Sequence, residues 1–526
     1  STLSSSSAAS DVYKRQELDR DFFQEQGVEL APGPKELMNM QRFYLYLNMT
    51  KPGEKLILSY SDTNAKGEGI SPAYLIGSIR SLYPKLEIEN SYCYPENPEA
   101  GIDLFLEKLV QETEKEHEDI LEQADETDAM FGELYSWYLR NPEYRSRVQK
   151  LVQSAFAGKP EDIISQSVAK ALYGEVSPYS ATRLERFAAC AFAHFLQYGM
   201  KLTERVEYEF KPMDMGNVMH EALESFAEEV RKRGMKWTEL TEQERNEIAD
   251  RCLDNIVADY GNTVLKSSAR NEYMIERTRR ILRRTVWALQ KQLEQGEFQP
   301  EGFEVTFGGG RIDRVDIMED QNKVYVKVID YKTGNTSFDL VYLYHGLQLQ
   351  LMIYLDGALR VEQKKYPDKE IIPAGVFYYN IKDPMIQEKI DADVEAVSAG
   401  LMKELKMNGL VQADPELVYR MDSSLGSIPV AFNKDGSFRK NSSVADRTQF
   451  AVLGRYVRTK IEKIRSSILE GDAEVSPYEL GKKNACTYCP YMTVCGFDRR
   501  LSGYEFRRLK NFSDEELWKA FDREAE

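Results

Sequence analysis

A carboxylate and an ammonium group, Asp330 and Lys332, stand two residues apart at the end of an apolar stretch. Residues alternate strictly from Lys323 to Lys332, and a period of two predicts a β-strand. The strand face that carries this pair is otherwise made of valines. Because side chains two apart project to the same side, the pair can hold a divalent metal ion and a phosphate ester with its attacking water.

A second carboxylate is expected to converge on the same point. Residues 310–316, GRIDRVD, are predicted to form the preceding strand, and residues 318–323 the polar turn of a hairpin. That turn would fold Asp313 back beside Asp330, and Glu304, in the strand-like segment FEVTF, is a candidate third carboxylate. Hard oxygen ligands of this kind suit Mg²⁺ or Mn²⁺.

For any single Asp-x-Lys the alternative is a surface salt bridge at a strand end, because the tripeptide is common. The whole order E…GRID…VIDYK…Q-x-x-x-Y is much rarer. It resembles the PD-(D/E)xK nuclease core in its RecB-like form, and more closely the C-terminal nuclease domain of the AddB (RexB) family. The resemblance runs from about Ser177 to Glu526, and more weakly upstream to about Arg42. It implies an α/β fold in which helices flank a mixed central sheet.

The resemblance also implies roles for individual residues. Asp313 and Asp330 would bind Mg²⁺ (or Mn²⁺), and Lys332 would orient the attacking water and stabilise the developing charge. His220, which ends a G-x-x-x-H segment at residues 216–220, would be an additional metal ligand. Without the family pattern, a lone histidine on a helix is usually a core or surface residue.

Gln350 and Tyr354 lie four apart and share one face of a predicted helix over residues 341–360. The family's Q-x-x-x-Y motif would place them over the active site and the DNA strand, whereas helix packing is the alternative for the pair alone. The segment FGGGR at residues 307–311 departs from the family, whose chains carry an additional strand pair there. This shortcut bears on the orientation of Glu304, which the resemblance also assigns to catalysis.

Four of the six cysteines form a three-plus-one set: Cys486, Cys489 and Cys495 follow a C-x₂-C-x₅-C spacing, and Cys190 stands far earlier. By spacing alone the set suits zinc or an iron–sulfur cluster. Three ligands close in sequence plus one distant ligand favour the cluster, because structural zinc more often uses two close pairs. The family resemblance implies a 4Fe-4S cluster that joins the two ends of the nuclease domain. The remaining pair, Cys93 and Cys252, are expected to be buried small hydrophobes.

With 526 residues the chain is expected to form two or three domains. Residues 1–16 are Ser-rich and are interpreted as a non-native tail, and residues 98–176 as a helical connector before the nuclease domain at 177–526. Residues 17–97 resemble the C-terminal remnant of a UvrD-like helicase domain, with an apolar helix, a turn at Pro52-Gly53 and a short strand expected at residues 56–60. Lys51 stands where its last motor motif has arginine, and the sequence contains no G-x-x-x-x-G-K-[ST] phosphate loop, so no ATPase site is expected.

The formal charge of −17 argues against a protein that coats nucleic acid generally, so a nucleic-acid enzyme of this charge would have to concentrate its basic residues locally. Residues 277–284 are one candidate, with a solvated helix face as the alternative. No run of eighteen apolar residues occurs, which argues against a membrane span, and a bacterial cytoplasmic location is expected.

Together these features predict a Mg²⁺-dependent DNA exonuclease. It would belong to the B subunit of an AddAB-type helicase–nuclease in recombinational double-strand-break repair, with an AddA-type subunit and double- and single-stranded DNA as partners. The alternative is a DNA-binding scaffold whose nuclease site has decayed.

Overall fold

The computed structural model describes residues 31–61, 69–86, 126–155, 163–174, 180–203, 212–259, 268–308, 310–386, 393–499 and 503–525, with scattered residues within 20–27 and 88–109. The expected non-native tail at 1–16 lies outside the described residues. The chain divides into two compact units, Ser1–Tyr94 and Pro95–Glu526. The domain limits expected at residues 97 and 176 remain predictions.

In the first unit, helix α1 (Pro34–Thr50) confirms the helix expected before the Pro52-Gly53 turn, and α2 (Tyr74–Leu82) follows. No residue of α1 is buried. The prediction of a strand over residues 56–60 was wrong for this unit: the segment pairs with no other described residue, and its apolar side chains are exposed. A strand requires a neighbour for its backbone N–H and C=O groups, and the described part of this unit contains none.

In the second unit, six strands form one sheet in sequence order. Their bounds are β1 (Gln299–Phe307), β2 (Gly310–Asp320), β3 (Lys323–Lys332), β4 (Glu370–Asn380), β5 (Asn408–Gln412) and β6 (Val444–Ala445). The β3–β4 and β5–β6 pairs are parallel and the other three pairs are antiparallel. A smaller sheet has the order β8 (Lys483–Asn484), β7 (Tyr478–Leu480) and β9 (Arg507–Arg508).

The described helices of the second unit include α3 (Glu126–Arg140), α4 (Pro142–Ala155), α5 (Gln166–Tyr173), α6 (Ala181–Ala189), α7 (Ala191–His194), α8 (Pro212–Lys232), α9 (Glu242–Asp259), α10 (Ala269–Leu293), α11 (Leu340–Tyr344), α12 (Gln350–Lys365), α13 (Val394–Glu404), α14 (Pro415–Met421), α15 (Arg447–Glu470), α16 (Met492–Cys495) and α17 (Asp514–Ala525), with a π-helical turn at Phe195–Gly199 and a 3₁₀ turn at Trp237–Glu239. Helices α6, α12, α15 and α17 cover one face of the main sheet and α8, α9 and α10 cover the other, whereas α3 and α4 pack together in a separate cluster. This arrangement confirms the predicted α/β class with a mixed sheet flanked by helices.

Strand β3 lies between two hydrophobic clusters. Val324, Val326 and Val328 pack with residues of α6, α12, α15 and α17, whereas Tyr325 and Ile329 pack with residues of α8, α9 and α10. The alternation in the sequence therefore corresponds to two buried faces, and the strand bounds agree with the prediction. The β2–β3 turn is shorter than predicted, because both strands extend to Asp320 and Lys323.

The single helix predicted over residues 341–360 is instead two helices, α11 and α12. The break contains Gly346, whose φ of +79° lies in the left-handed region that favours glycine. A Cβ at this position would stand 3.2 Å from the Cβ of Ala188 in α6, so glycine also permits close packing of the two segments. As a result, Gln350 begins a helix rather than lying within one.

Three charged residues form a buried network between β2 and β3. The Nε atom of Arg314 lies 2.5 Å from Oδ1 of Asp316, and Nζ of Lys327 lies 3.0 Å from Oδ2 of the same carboxylate. The side-chain exposure of these residues is 2%, 0% and 7%, in the order Arg314, Asp316 and Lys327. The Arg314 guanidinium also lies over the rings of Trp237 and Phe303. The Asp316 carboxylate is thus the common partner of two buried cations.

Asp316→Asn is expected to lower the free energy of unfolding by about 3–5 kcal/mol, because it leaves Arg314 and Lys327 buried without an anion. Chemical denaturation monitored by circular dichroism measures the change. Asp320→Asn is the matched control, since it removes the more exposed ion pair with Arg420 and should cost about 1 kcal/mol or less. Equal denaturation midpoints for Asp316→Asn and Asp320→Asn would contradict the buried network.

Candidate active site

The register of β2 and β3 brings Asp313 and Asp330 together, because the neighbouring residues Arg314 and Ile329 are paired. The backbone N–H of Tyr331 donates to Oδ2 of Asp313 at 2.7 Å. Burial, with the nearby charge of Asp330 adding to it, raises the pKa of Asp313 to about 7. Burial also raises the pKa of Asp330, although the Lys332 ammonium opposes the shift. Two buried carboxylates in this arrangement favour a cation beside them.

His220 extends from α8 toward the same carboxylates. Its Nδ1 atom lies 3.4 Å from Oδ2 of Asp313 and 3.7 Å from Oε1 of Glu304. One ligand atom each of His220, Glu304 and Asp313 lies within 4.8 Å of the other two, so the three side chains can share one metal ion. Burial disfavours the imidazolium, but the Glu304 and Asp313 carboxylates outweigh it and raise the pKa of His220.

Glu304 faces the site despite the short FGGGR connection. Phe307 pairs directly with Gly310 across the β1–β2 hairpin, and the Glu304 side chain is 7% exposed. Nε of Arg311 lies 2.5 Å from its Oε2. Glu304 has φ of +49°, a region that costs a residue with a side chain of order 1–3 kcal/mol and that is often found at functional sites.

Asp330 has the features of a metal ligand held ready by a cation. Both of its carboxylate oxygens are buried, and neither has a hydrogen-bond partner among the described residues other than the Lys332 ammonium. Its contact is the ion pair with Lys332, whose Nζ lies 2.6 Å from Oδ2. A buried carboxylate without hydrogen bonds is costly unless a cation compensates it. With the hard donors nearby, this arrangement fits Mg²⁺ or Mn²⁺.

Lys332 links the carboxylates to α12. Its Nζ donates to Oε1 of Gln350 at 2.9 Å, and Nε2 of Gln350 donates to the Tyr354 hydroxyl at 2.9 Å. The Q-x-x-x-Y pair therefore lies beside the Asp-x-Lys pair, as the resemblance implied, and orients the lysine.

The four cysteines of the predicted set line one pocket. Cys190 ends α6, whereas Cys486, Cys489 and Cys495 lie on the loop that follows β8 and in α16. Burial, with the neighbouring thiols adding to it, raises the pKa of Cys486 to about 12. The pocket wall is otherwise mainly apolar, from Phe192, Ala193, Val475, Pro477, Ala485, Tyr491, Met492 and Phe497.

The four thiols can contribute to one metal centre, because they line the same pocket. Four sulfur ligands suit either zinc or an iron–sulfur cluster, so the 4Fe-4S centre remains a prediction. Of the other two cysteines, Cys252 is buried in the core as predicted, and Cys93 lies outside the described residues.

Sequence reasoning did not single out Glu185 of α6. The backbone N–H groups of Leu349 and Gln350 donate to its Oε1 atom at 2.7 and 2.9 Å. Burial raises the pKa of this carboxyl to about 7. Nothing in the local sequence distinguishes it from a solvated glutamate, because its partners lie more than 160 positions away.

Part of the basic run at 277–284 serves helix packing. Nη2 of Arg279 lies 2.7 Å from Oδ1 of Asp254, and Nε of Arg283 donates to Oδ1 of Asp250 at 2.8 Å. Both aspartates belong to α9, so these two arginines join α9 to α10.

A mixed sheet that presents an acidic residue on one strand and Asp-x-Lys on the next, with a histidine and a glutamate beside them, defines a nuclease core of the PD-(D/E)XK type. The chain belongs to the PD-(D/E)XK nuclease superfamily, whose sequence model matches residues 178–496, more than half of the chain.

Curated relatives are similar along almost the whole chain, and each is named as the B subunit of an ATP-dependent helicase/deoxyribonuclease. The protein of Lachnoclostridium phytofermentans is 39% identical, over 97% of this chain and 45% of its own length. That of Clostridium acetobutylicum is 32% identical, over 96% and 46%, and that of Alkaliphilus metalliredigens is 31% identical, over 97% and 46%. The chain thus spans about half the length of these relatives, and the similarity confirms the resemblance to the AddB family.

No described helix is long and apolar enough to cross a membrane.

Proposed function

We propose that this chain carries the nuclease centre of the B subunit of an AddAB-type helicase–nuclease and hydrolyses DNA phosphodiester bonds in the presence of Mg²⁺ (or Mn²⁺). The observation that carries the proposal is the convergence of His220, Glu304 and Asp313 within 4.8 Å, beside the Asp330–Lys332 ion pair. Membership of a nuclease superfamily and the names of the relatives support it.

In this proposal His220, Asp313 and Asp330 hold the metal ion, and Glu304 completes the acidic set. When bound, the ion would polarise the phosphate and lower the pKa of the attacking water. Lys332 orients that water and stabilises charge on the phosphate. Its contact with Gln350 would keep the ammonium in place if the Asp330 carboxylate bound the metal ion.

We also propose that Cys190, Cys486, Cys489 and Cys495 hold a 4Fe-4S cluster. The three-plus-one spacing in the sequence and the mainly apolar pocket that the four cysteines share support it. The cluster would join the start of the nuclease domain to the loop at 484–498. In the chain-entropy treatment of cross-links, closing a loop of this length restricts the unfolded chain by roughly 5–6 kcal/mol.

The proposed partner is an AddA-type helicase–nuclease subunit in a heterodimer, and the proposed substrate is double- and single-stranded DNA at a double-strand break that is repaired by homologous recombination. The chain would act as an exonuclease in the bacterial cytoplasm. We propose no ATPase activity for it, which an equilibrium titration with labelled ATP tests.

The alternative, a DNA-binding scaffold with a decayed site, is favoured by the shortened β1–β2 connection. End-labelled linear duplex DNA, incubated with the chain and its AddA-type partner, separates the two functions. The nuclease releases labelled fragments with Mg²⁺ and none with excess EDTA. The AddA-type partner in this assay carries an inactivated nuclease site, so that any labelled fragment is released by this chain. Binding of the DNA without Mg²⁺-dependent release of fragments would favour the scaffold.

A further inference from the structure

Helix α12 is capped from outside by the carboxylate of Glu185. The residue that precedes the helix, Leu349, supplies no side-chain cap. Its N–H and that of Gln350 donate instead to Oε1 of Glu185, at 2.7 and 2.9 Å. An anion at this place satisfies N–H groups that have no partner within the helix, and it interacts favourably with the helix dipole.

The Glu185 carboxylate is connected to the candidate catalytic lysine through a single residue, Gln350. Gln350 is the first residue of α12, and its Oε1 atom accepts a hydrogen bond from the Lys332 ammonium at 2.9 Å. A shift of the first turn of α12 would therefore move the side chain that orients Lys332. Errors of about 1 Å in such positions can cost about 100-fold in rate, even when the altered residue never touches the reacting atoms.

The other end of α6 belongs to the cysteine centre. Cys190 terminates α6, and its N–H donates to the carbonyl oxygen of Arg186 at 3.1 Å. The Arg507 guanidinium, from the strand that follows the cysteine loop, donates to the carbonyl oxygen of Ala188. Ala188 packs in turn against the loop that leads into α12, at Gly346. One helix of nine residues thus contacts the segment that carries Cys486, Cys489 and Cys495, through Arg186 over the Tyr491 ring, and the start of α12, through Glu185.

We propose that Glu185 is a positioning residue. Through it, α6 holds α12 and its Gln350 in place relative to the segment that carries Cys486, Cys489 and Cys495. This inference rests on the nuclease function proposed above. Glu185 touches neither the candidate metal ligands nor the water-orienting ammonium in the contacts described, and it acts through Gln350. Its burial, which raises its pKa to about 7, shows that the cap is kept at an energetic cost.

The test compares Glu185→Ala, Glu185→Gln and Asp446→Ala in the full chain with its partner. The glutamine variant retains an oxygen that can accept the two N–H groups. Asp446→Ala is the matched control, because Asp446 caps α15 by accepting from the N–H of Gln449 at 2.8 Å and belongs to no candidate site. Single-turnover DNA cleavage, Mn²⁺ titration calorimetry and hydrogen exchange at Leu349 and Gln350 are measured for each protein.

Glu185→Ala should exchange faster at Leu349 and Gln350 and cleave about 10- to 100-fold more slowly, with Mn²⁺ affinity within about threefold of wild type. Glu185→Gln should restore cleavage to within about fivefold, since a neutral oxygen still caps the helix. Asp446→Ala should affect neither cleavage nor these two amides. Wild-type cleavage by Glu185→Ala, or equal slowing by Asp446→Ala, would overturn the inference.

Removal of iron from the wild-type chain with a chelator under anaerobic conditions tests the connection through α6. Exchange at Leu349 and Gln350 should accelerate in wild type and change little in Glu185→Ala, where the cap is already lost. Unchanged exchange in the wild-type protein would contradict the connection. If wild type itself fails to cleave DNA, the proposed function is wrong, whereas the exchange measurements still decide whether Glu185 positions α12.

Discussion

Asp330→Ala is expected to abolish Mg²⁺-dependent DNA cleavage and to leave the fold intact. The carboxylate is 1% exposed, and the Lys332 ammonium is its one polar partner among the described residues. Its removal deletes a metal ligand and a buried charge together. The lysine remains 29% exposed and keeps its contact with Gln350, so no buried cation is left unpaired.

We expect cleavage to fall by about 10²–10³-fold or more, the scale of losing one strong electrostatic contribution to the transition state. Lys332→Ala should likewise remove cleavage but retain much of the metal affinity, because lysine is not a ligand. Degradation of labelled linear DNA, metal titration and thermal melting are compared for wild type and both variants. Asp356→Ala, which removes an α12 carboxylate paired with Arg458 on the protein surface, is the control and should cleave normally.

A structural salt bridge predicts the opposite pattern. Both variants would then lose stability and neither would lose an activity. The loss would be larger for Lys332→Ala, up to about 3–5 kcal/mol, because this change leaves the buried Asp330 carboxylate unpaired. Undiminished degradation by Asp330→Ala would exclude the residue from the nuclease centre.

Cys495→Ala is expected to lose iron, sulfide and the brown colour that anaerobically purified wild-type protein should show. The three remaining thiols cannot complete a four-ligand set, and the loop at 484–498 loses its attachment to Cys190. This loop should then become the first site of cleavage in limited proteolysis. Iron and sulfide analysis, visible absorption and peptide mapping measure the three effects.

Cys252→Ala is the matched control for this variant. Cys252 is 7% exposed and lies in the hydrophobic core with α9, away from the four-cysteine pocket. The Cys252→Ala variant should keep the full iron content and lose some stability, because removal of the thiol leaves a cavity. Stoichiometric zinc without iron, in wild-type protein prepared under anaerobic, iron-replete conditions, would refute the cluster.

Local periodicity was sufficient for the elements at the centre of the site. The alternation from Lys323 to Lys332 predicted β3 with its bounds, and the polar turn after GRIDRVD predicted that Asp313 would approach Asp330. Both inferences depend on neighbours within about twenty residues, where strand geometry and a tight turn leave few arrangements. The strand expected at residues 56–60 was wrong because a strand also needs a partner, which a local pattern does not supply.

The sequence by itself determined the α/β class, the Asp-x-Lys strand end, the approach of a second carboxylate and the three-plus-one cysteine set. Residue types and short spacings are enough for these, since each depends on backbone period or donor chemistry. Tertiary structure alone decided that Glu304 faces His220 and that Cys190 lies in one pocket with the three late cysteines. It also decided that Asp316 neutralises two buried cations and that Glu185 caps α12. These contacts join elements distant in the chain, and their distances follow from how helices pack on the two faces of the sheet, which no local pattern encodes.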